Sequence, residues 1–278
     1  MKIIRSKSFL TLFIVLFIPV YNSFAKSSVT VPVITARYHA VAEFPAEINP
    51  LSVIYPLSLQ DYRKQTEAYI KAFSKKEREY IIYIFAKGKN FFPKAVEVLD
   101  KYEVPQELQM IPVLESAFNA NAVSPVGAVG HWQFMSTLAK EYGLRTGGKH
   151  DERRNFTKST IAAAKFFRDQ LDYFNEDILL AVAAYNCGQG RVRSSIKKSG
   201  KADPNFWEIK KYLPAETRKF VMNFIALNVI FSNYEKFLNE ELNFDEPLLI
   251  QKKPTFTQSV PQDTIIKMDS LSSAALVL

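Results

Sequence analysis

The segment Ile178–Tyr185 is apolar at every position, and this limits the folds that the chain can adopt. A helix that is apolar on all sides must be surrounded by other elements, because no face of it suits water. Asp177 precedes the segment and predicts an N-cap, and Asn186-Cys187-Gly188 predicts the end of the helix. We therefore expect a central buried helix, with the core built around it.

The rest of the chain predicts further helices that can surround this segment. Apolar periodicity and helix-start signals predict helices in six segments: 62–73, 80–85, 92–102, 133–142, 157–174 and 216–231. Another helix is expected from Pro105 to Glu115, with a kink or a restart at Pro112, because a proline ring disrupts the interior of a helix. The predicted fold class is all-α.

The first 25 residues predict a cleavable secretory signal. Basic side chains at positions 2, 5 and 7 precede the apolar run Phe9–Val20, and the small-residue site Ser23-x-Ala25 follows. The run is shorter than the roughly 20 apolar residues that a permanent span requires, so a retained anchor is the less favoured alternative. We expect an exported protein of the periplasm or cell envelope, with no integral membrane span after signal cleavage.

Three further segments follow the signal. Residues 26–58 contain four prolines and little helical period, and they predict an extended lead-in. Residues 59–238 carry the helical pattern and are expected to form one domain. Residues 239–278 lose the periodicity, and they predict an irregular tail that either packs as a short strand or remains flexible.

Charge and cysteine content narrow the choice of partner and chemistry. Loss of the three signal cations lowers the formal net charge from +8 to +5, so the exported chain stays basic. Export argues against nucleic acid as the partner and favours an anionic envelope polymer. Cys187 is the only cysteine, which excludes an internal disulfide and a cysteine-rich metal site. We interpret it as a small buried side chain rather than a reactive thiol.

The segment Glu115–Met135 reads ESAFNANAVSPVGAVGHWQFM. It resembles the catalytic segment of family 23 lytic transglycosylases and their goose-type lysozyme relatives, and most closely the D-type membrane-bound murein transglycosylases. Three further stretches occur in the order of that family: Asp151–Arg154, Ala184–Gly188 and Leu213–Arg218. The resemblance covers roughly residues 60–237, and it implies a lysozyme-like helical fold.

The resemblance implies that Glu115 is the single catalytic acid/base. Ordinary glycosidases use two carboxylates, whereas in this family the N-acetyl group and the C6 hydroxyl of the sugar supply the second function. Glu115 would protonate the glycosidic oxygen and then accept the hydroxyl proton as a 1,6-anhydro ring closes. Apolar neighbours in the motif predict a raised pKa for Glu115. Outside such a motif, a glutamate at a helix end is usually a solvated charge.

Five further residues match positions that bind substrate in the family. Ser116 is expected to hydrogen-bond the N-acetyl group or the Glu115 carboxyl, or else to cap the helix. Gln133 and Met135 would line the cleft, although core packing is the stronger expectation for Met135 alone. Tyr185 and Asn186 would form the cleft floor, with a left-handed turn as an alternative role for Asn186. Peptidoglycan glycan strands are the implied partner, the expected state is a monomer, and no cofactor or metal is implied.

Three residues depart from the family pattern. His131 stands where an apolar residue is expected, and we leave it unassigned between a surface position, a residue satisfied by its neighbours and a substrate contact. Phe220 stands where relatives usually have tyrosine, so a hydroxyl near the cleft is missing. Cys187 replaces a small apolar residue, which a tight turn tolerates.

Two other functions stay open at this point. A muramidase would hydrolyse the same bond with a carboxylate that positions water, and Asp151 and Glu152 are the nearest candidates for that role in the sequence. A noncatalytic peptidoglycan-binding protein would keep the fold for recognition alone. The absence of a convincing second carboxylate in the motifs favours the transglycosylase.

Overall fold

The regular structure in the computed structural model, which describes residues 53–244, consists of helices. The α-helices are α1 (Arg63–Lys76), α2 (Arg78–Gly88), α3 (Phe92–Lys101), α4 (Ile111–Ser116), α5 (Ser136–Glu141), α6 (Phe156–Tyr173), α7 (Ile178–Cys187), α8 (Gln189–Ser199), α9 (Phe206–Ile209), α10 (Ala215–Ser232) and α11 (Tyr234–Leu238). Short 3-10 helices span Leu57–Tyr62, Gln106–Met110, Gly148–His150, Glu152–Arg154 and Lys210–Tyr212. Between residues 53 and 244, β-structure is limited to two isolated bridges. The all-α prediction is confirmed.

Helix α7 lies at the centre of the core, as the sequence predicts. All seven residues of Ile178–Ala184 are buried. The Asp177 carboxylate caps the helix by accepting hydrogen bonds from the backbone N–H groups of Leu179 and Leu180, both at 2.9 Å. Helices α6, α8 and α10 pack around α7, so three neighbours cover its apolar surface.

Helix α10 connects this centre to the first part of the chain. It packs against α1 and α7 and also contacts α4. Its residues from Phe224 to Ile230 are all buried, which explains why this helix is apolar on most of its surface. Helix α3 packs against α6 on another side of the domain. These contacts bring the end of α4, the end of α7 and the start of α10 together.

The structure confirms the restart expected near Pro112 and corrects one predicted helix boundary. The predicted helix at 105–115 is a 3-10 helix followed by a restart at Ile111, and Pro112 occupies the first turn of α4, where its missing N–H is not needed. The helix predicted from Gln133 begins only at Ser136. Gln133 has a φ of 50°, which a right-handed helix does not allow.

The two ends of the described chain pack against each other. The backbone N–H of Val53 donates to the carbonyl of Asn243 at 3.1 Å. The Asn233 side chain bonds both backbone groups of Ile54, at 2.8 and 2.6 Å. Phe244 is buried. The last residues of the lead-in and the first residues of the tail thus lie on the helical domain.

Several predictions fall on residues outside the described part of the chain. These are the signal at 1–25, the lead-in before residue 53 and the tail after residue 244. Among residues 53–244, none of the helices combines the length and the hydropathy of a membrane-spanning segment.

Candidate active site

Glu115 lies in the last turn of α4, immediately before a sharp change of chain direction. Ala117 and Phe118 follow with φ values of 49° and 57°, so two consecutive side-chain-bearing residues adopt the left-handed conformation. The N–H of Phe118 returns to the carbonyl of Pro112 at 3.2 Å. Such a strained pair persists only where the surroundings enforce it, and here it ends the helix directly after the glutamate.

Ser116 supplies part of that enforcement. Its buried hydroxyl donates to the carbonyl of His131 at 2.8 Å and accepts from the N–H of Asn119 at 3.2 Å. These contacts tie the end of α4 to the loop that returns towards it. Within the described residues the hydroxyl forms no hydrogen bond to Glu115, so its observed contacts match the helix-capping alternative.

The Glu115 side chain is partly buried, and within residues 53–244 its carboxyl group forms no hydrogen bond or ion pair. Burial raises the pKa of this carboxyl to about 8, and the nearby negative charge of Glu216 adds to the effect. The protonated form is therefore favoured at neutral pH, as the apolar neighbours in the motif predict. A protonated carboxylic acid without a protein partner can give its proton to a bound molecule.

Arg153 stabilises the conformation of the loop after Glu115 by hydrogen bonds to its backbone. Its Nη1 donates to the carbonyls of Phe134 and Gly127 at 2.9 and 3.1 Å. The guanidinium forms a buried pair with Asp151, with Nη2 to Oδ2 at 2.7 Å and Nε to Oδ1 at 2.9 Å. The backbone of Gly130 passes so close that an added Cβ would lie 2.0 Å from the Arg153 carbonyl oxygen. Glycine is required there by space as well as by its φ of 85°.

Tyr185 lies at the end of α7 beside Glu115. The ring stacks on Phe167 at a centroid distance of 5.0 Å, and the hydroxyl donates a short hydrogen bond to the carbonyl of Trp132. Burial and the charge of Glu115 raise the pKa of Tyr185 well above its ordinary value. The phenol is therefore neutral, and its proton is directed at the loop rather than at Glu115.

Asn186 follows Tyr185 and contacts α10. Its Oδ1 accepts a hydrogen bond from the hydroxyl of Thr217 at 2.8 Å. In the described part of the chain its Nδ2 group has no hydrogen-bond partner, and it is partly exposed. Asn186 lies inside α7, and the positive φ expected of this turn belongs to Gly188, at 84°. The alternative of a left-handed Asn186 is therefore wrong.

Gln133 and Met135 lie on the loop. The Gln133 Nε2 group donates to the carbonyl of Gly130 at 2.8 Å, whereas its Oε1 has no hydrogen-bond partner among the described residues. Met135 is 43% exposed, so the expectation that it packs in the core is wrong. Val123 and Val126 of the same loop are also exposed, at 58% and 43%. The loop thus presents apolar side chains to the exterior.

The three departures from the family pattern have structural explanations. His131 is buried, and its ring contacts Phe91 and Phe156 at centroid distances of 5.4 and 5.1 Å. Burial and the charge of Lys87 lower the pKa of His131 to about 4, so it is a neutral core residue rather than a surface one. Phe220 packs against the core. Cys187 is partly rather than fully buried, so the expectation of a buried side chain is only partly met. Burial still raises the pKa of its thiol, which fits a structural residue better than a reactive one.

The two carboxylates considered for hydrolysis are engaged elsewhere. Asp151 is paired with Arg153, and Glu152 contacts both Arg145 and Lys158 at 2.7 and 2.6 Å. Glu216, whose charge acts on Glu115, was not among the residues predicted from the sequence. The resemblance to the family could have indicated Glu216, because Glu216 lies in Leu213–Arg218, one of the stretches that match the family. In the described residues, no group of three or more His, Cys, Asp or Glu side chains is arranged to hold a metal.

Part of this chain is similar to a known protein family. Residues 96–207 match the family described as the transglycosylase SLT domain. The matched SLT region includes Glu115, the loop and the end of α7, whereas Glu216 and Thr217 lie beyond it.

Individual proteins are also similar to this chain. The membrane-bound lytic murein transglycosylase D of Escherichia coli K12 is 32% identical over 177 residues, which are 63% of this chain and 38% of that protein. A putative tributyltin chloride resistance protein of Alteromonas sp. M-1 is 33% identical over 126 residues, which are 45% of this chain and 61% of that protein. The chain thus spans well under half the length of the Escherichia coli relative.

Among solved structures, the lytic transglycosylase Slt of Pseudomonas aeruginosa is similar to this chain. The sequence identity is 22% and the TM-score 0.42, and the similar part covers 55% of this chain and 25% of that one.

Proposed function

We propose that this protein is a peptidoglycan lytic transglycosylase. It would cleave the β-1,4 bond between N-acetylmuramic acid and N-acetylglucosamine without water, leaving a 1,6-anhydro end on the muramic acid. The observation that carries this proposal is the state of Glu115, a carboxyl with a pKa raised to about 8 and no hydrogen-bond partner in the described residues. The SLT domain match supports the same activity.

A single glutamate is sufficient for this reaction. Protonated Glu115 gives its proton to the glycosidic oxygen as the bond to C1 breaks, with help from the N-acetyl group of the same sugar. The C6 hydroxyl oxygen then bonds to C1, and its proton passes to the Glu115 carboxylate. Atoms and charge balance at each stage, and Glu115 is again protonated at the end.

The remaining candidate residues would hold the sugar. The Asn186 Nδ2 group is a hydrogen-bond donor, and the Gln133 Oε1 atom is an acceptor. Neither has a partner within the described residues, so both can bind substituents of the sugar. Exposed Met135 would pack against a sugar face. Tyr185 and Ser116 would act by fixing the loop through their bonds to Trp132 and His131.

Hydrolysis at the same bond is the second candidate function, because a second carboxylate is close enough to act on Glu115. Glu216 is exposed at the start of α10 and contributes to the raised pKa of Glu115. A carboxylate in that place could position a water molecule for attack on C1. Asp151 and Glu152 are less suited to this role because their ion pairs occupy them.

The setting of the enzyme is part of the proposal. The sequence of residues 1–25 supports export, so the enzyme would act in the periplasm or cell envelope as a monomer. The catalytic domain would comprise residues 59–238, with residues 53–58 and 239–244 packed on it. No cofactor is part of the proposed reaction.

Digestion of purified sacculi, followed by mass analysis of the products, tests the proposal. Anhydro-ended muropeptides are the expected products. Reducing ends alone would replace the proposal with hydrolysis. The Glu115→Gln variant should lose all product release, and Glu97→Gln, an exposed position on α3, is the matched control. Release by Glu115→Gln at the wild-type rate would refute the catalytic role, and binding without any release by the wild type would indicate a noncatalytic protein.

A further inference from the structure

The net positive charge of the described residues is concentrated in one segment. Residues 189–219 contain nine lysines and arginines but only three acidic residues. The remaining described residues contain nineteen basic and nineteen acidic side chains. The net positive charge of residues 53–244 is therefore carried by α8, the two short helices that follow it and the start of α10.

Helix α8 has one buried face and one exposed face, and the exposed face carries the basic side chains. Val192 and Ser195 are buried, whereas Arg191, Arg193, Lys197 and Lys198 are exposed. At 100° per residue these four cations lie on the outer half of the helix. None of them forms an ion pair within residues 53–244, so the group is not neutralised by the described part of the protein. We call these four residues together with Lys211 the basic face.

Lys211 joins the basic face through a direct link between elements. The Ser195 hydroxyl bonds the carbonyl of Tyr212 at 3.2 Å, which holds α8 against the 3-10 helix Lys210–Tyr212. Lys211 is exposed on that helix. The Lys211 Nζ lies 4.9 Å from the centroid of the Tyr212 ring, and the neighbouring Lys210 Nζ lies 4.5 Å from that of Trp207. Unlike Lys211, Lys210 is partly buried and is therefore left out of the basic face.

The basic face begins at the candidate active site. Only Gly188 separates α7, which ends with Asn186 and Cys187, from the first residue of α8. Arg191 is close enough to Cys187 for its charge to act on the thiol. The first turn of α8, with Arg191, therefore lies next to the end of α7 that carries Asn186 and Cys187.

We infer that the basic face binds the carboxylates of the peptides attached to a glycan strand, so that the enzyme prefers peptide-bearing strands to bare ones. The inference rests on the proposed function. The four exposed cations on α8 repel one another. An anionic ligand reduces that repulsion and is itself attracted to the cations, so both effects favour its binding. The continuity with the active site favours substituents of the substrate over an unrelated polyanion.

The test uses a triple variant, Arg193→Gln/Lys197→Gln/Lys198→Gln, in the full chain. A second triple variant, Lys64→Gln/Lys94→Gln/Lys101→Gln, removes the same charge from exposed positions on α1 and α3. Both are assayed on glycan strands with peptides and on the same strands after enzymatic removal of the peptides. Circular dichroism checks that each variant is folded.

We expect kcat/KM on peptide-bearing strands to fall about tenfold for the α8 variant, the size expected for three exposed ion pairs. Activity on bare strands should change less than about twofold, and the difference should disappear in about 0.5 M salt, where exposed charges are screened. The control variant should match the wild type on both substrates. An equal loss on both substrates, or no loss on either, overturns the inference.

Two further measurements separate this inference from its alternatives. Cosedimentation of strands with the same triple variant in a Glu115→Gln background measures binding without catalysis, so the inference is tested even if the proposed reaction is wrong. Binding to vesicles of three parts phosphatidylcholine to one part phosphatidylglycerol tests a membrane role. If the α8 variant loses vesicle binding but keeps its preference for peptide-bearing strands, the basic face serves a membrane and the inference is refuted.

Discussion

The Thr217 hydroxyl donates a hydrogen bond to Oδ1 of Asn186 across 2.8 Å, joining the first turn of α10 to the last turn of α7. An amide whose oxygen accepts from the protein turns its NH₂ group the other way. In Asn186 that NH₂ group has no other partner in the described residues, and it is the donor that we propose for the substrate. Thr217 therefore orients Asn186 without being required to touch the sugar.

Replacing Thr217 with valine should weaken substrate binding while leaving the fold intact. Valine keeps the shape but removes a hydrogen bond worth about 0.5–1.5 kcal/mol, so we expect a three- to tenfold rise in KM with a smaller change in kcat. Steady-state kinetics on sacculi fragments measure both. Thr217→Ser restores the donor and should recover the wild-type KM. A similar loss in the serine and valine variants would contradict the positioning role.

Gly130→Ala should destabilise the loop more than the same change at Gly143. Both glycines have a φ of 85°, but a Cβ at Gly130 would lie 2.0 Å from the Arg153 carbonyl, whereas at Gly143 it meets nothing within 4 Å. The strain of the left-handed backbone is about 1–2 kcal/mol for either variant. The steric clash adds to it only at Gly130, so we expect a total loss of about 3 kcal/mol or more there.

Urea unfolding of the two glycine variants gives this comparison directly. The difference between their free energies of unfolding isolates the close approach of the loop to Arg153. Equal losses would mean that the backbone moves aside freely, and the loop would then not be clamped as described.

The pH dependence of activity should reveal the environment of Glu115. The proposed reaction begins with a protonated Glu115, and its pKa is raised to about 8. The rate should therefore be high below this pH and fall as the pH rises through about 8. Glu216→Gln removes a negative charge that favours the protonated form, so the falling limb should move to lower pH. The control variant Glu97→Gln should leave the pH–rate profile unchanged. If Glu216→Gln also leaves it unchanged, the charge of Glu216 does not act on the pKa of Glu115.

The same pKa makes a prediction about stability. A glutamate in the unfolded chain has a pKa of about 4.3, so between about pH 4.3 and 8 the folded state binds more protons than the unfolded state. Stability should then fall as the pH rises through this range. Glu115→Gln has no charge to bury and should be more stable than the wild type at pH 8, on the order of 2 kcal/mol. The two proteins should differ little at pH 4, as unfolding in urea at both pH values will check.

The sequence predicted the parts of this structure that depend on a continuous pattern. Helix α7 was predictable because eight consecutive apolar residues leave a helix no exposed face. Helix α8 was not predicted, because its outer residues are charged and only its buried side, with Val192 and Ser195, follows the core. Exposed charge gives a weaker signal than buried periodicity.

Only part of the candidate active site could likewise be predicted from the sequence. Glu115 was recognisable from its motif, but its relation to Glu216 joins residues about a hundred positions apart, and no local pattern encodes it. His131 was left unassigned because a lone histidine has no periodicity, and its burial depends on Phe91 and Phe156, which lie before and after it in the chain. Which loop atoms Ser116 and Tyr185 bond also depends on tertiary contacts.

Asp151→Asn should destabilise the protein without changing the chemistry of its products. The pKa of Asp151 is lowered to about 2, chiefly by its hydrogen bonds with Arg153. A pair with both side chains buried loses about 3 kcal/mol or more when one charge is removed, because the other is left without a partner. Asp172→Asn breaks a more exposed pair with Arg168 and should cost less than about 1 kcal/mol.

The pH dependence of the stability of the wild type should show the contribution of the Asp151–Arg153 pair. The stability that Asp151 provides is fully present above the unfolded pKa of about 3.9, and it is lost as the pH falls through about 2. Asp151→Asn should remove this acid limb. If Asp151 instead positions water, the asparagine variant should lose reducing-end products selectively while anhydro ends persist. Because the carboxylate is held beneath the loop by Arg153, we expect the ratio of the two products to stay at its wild-type value.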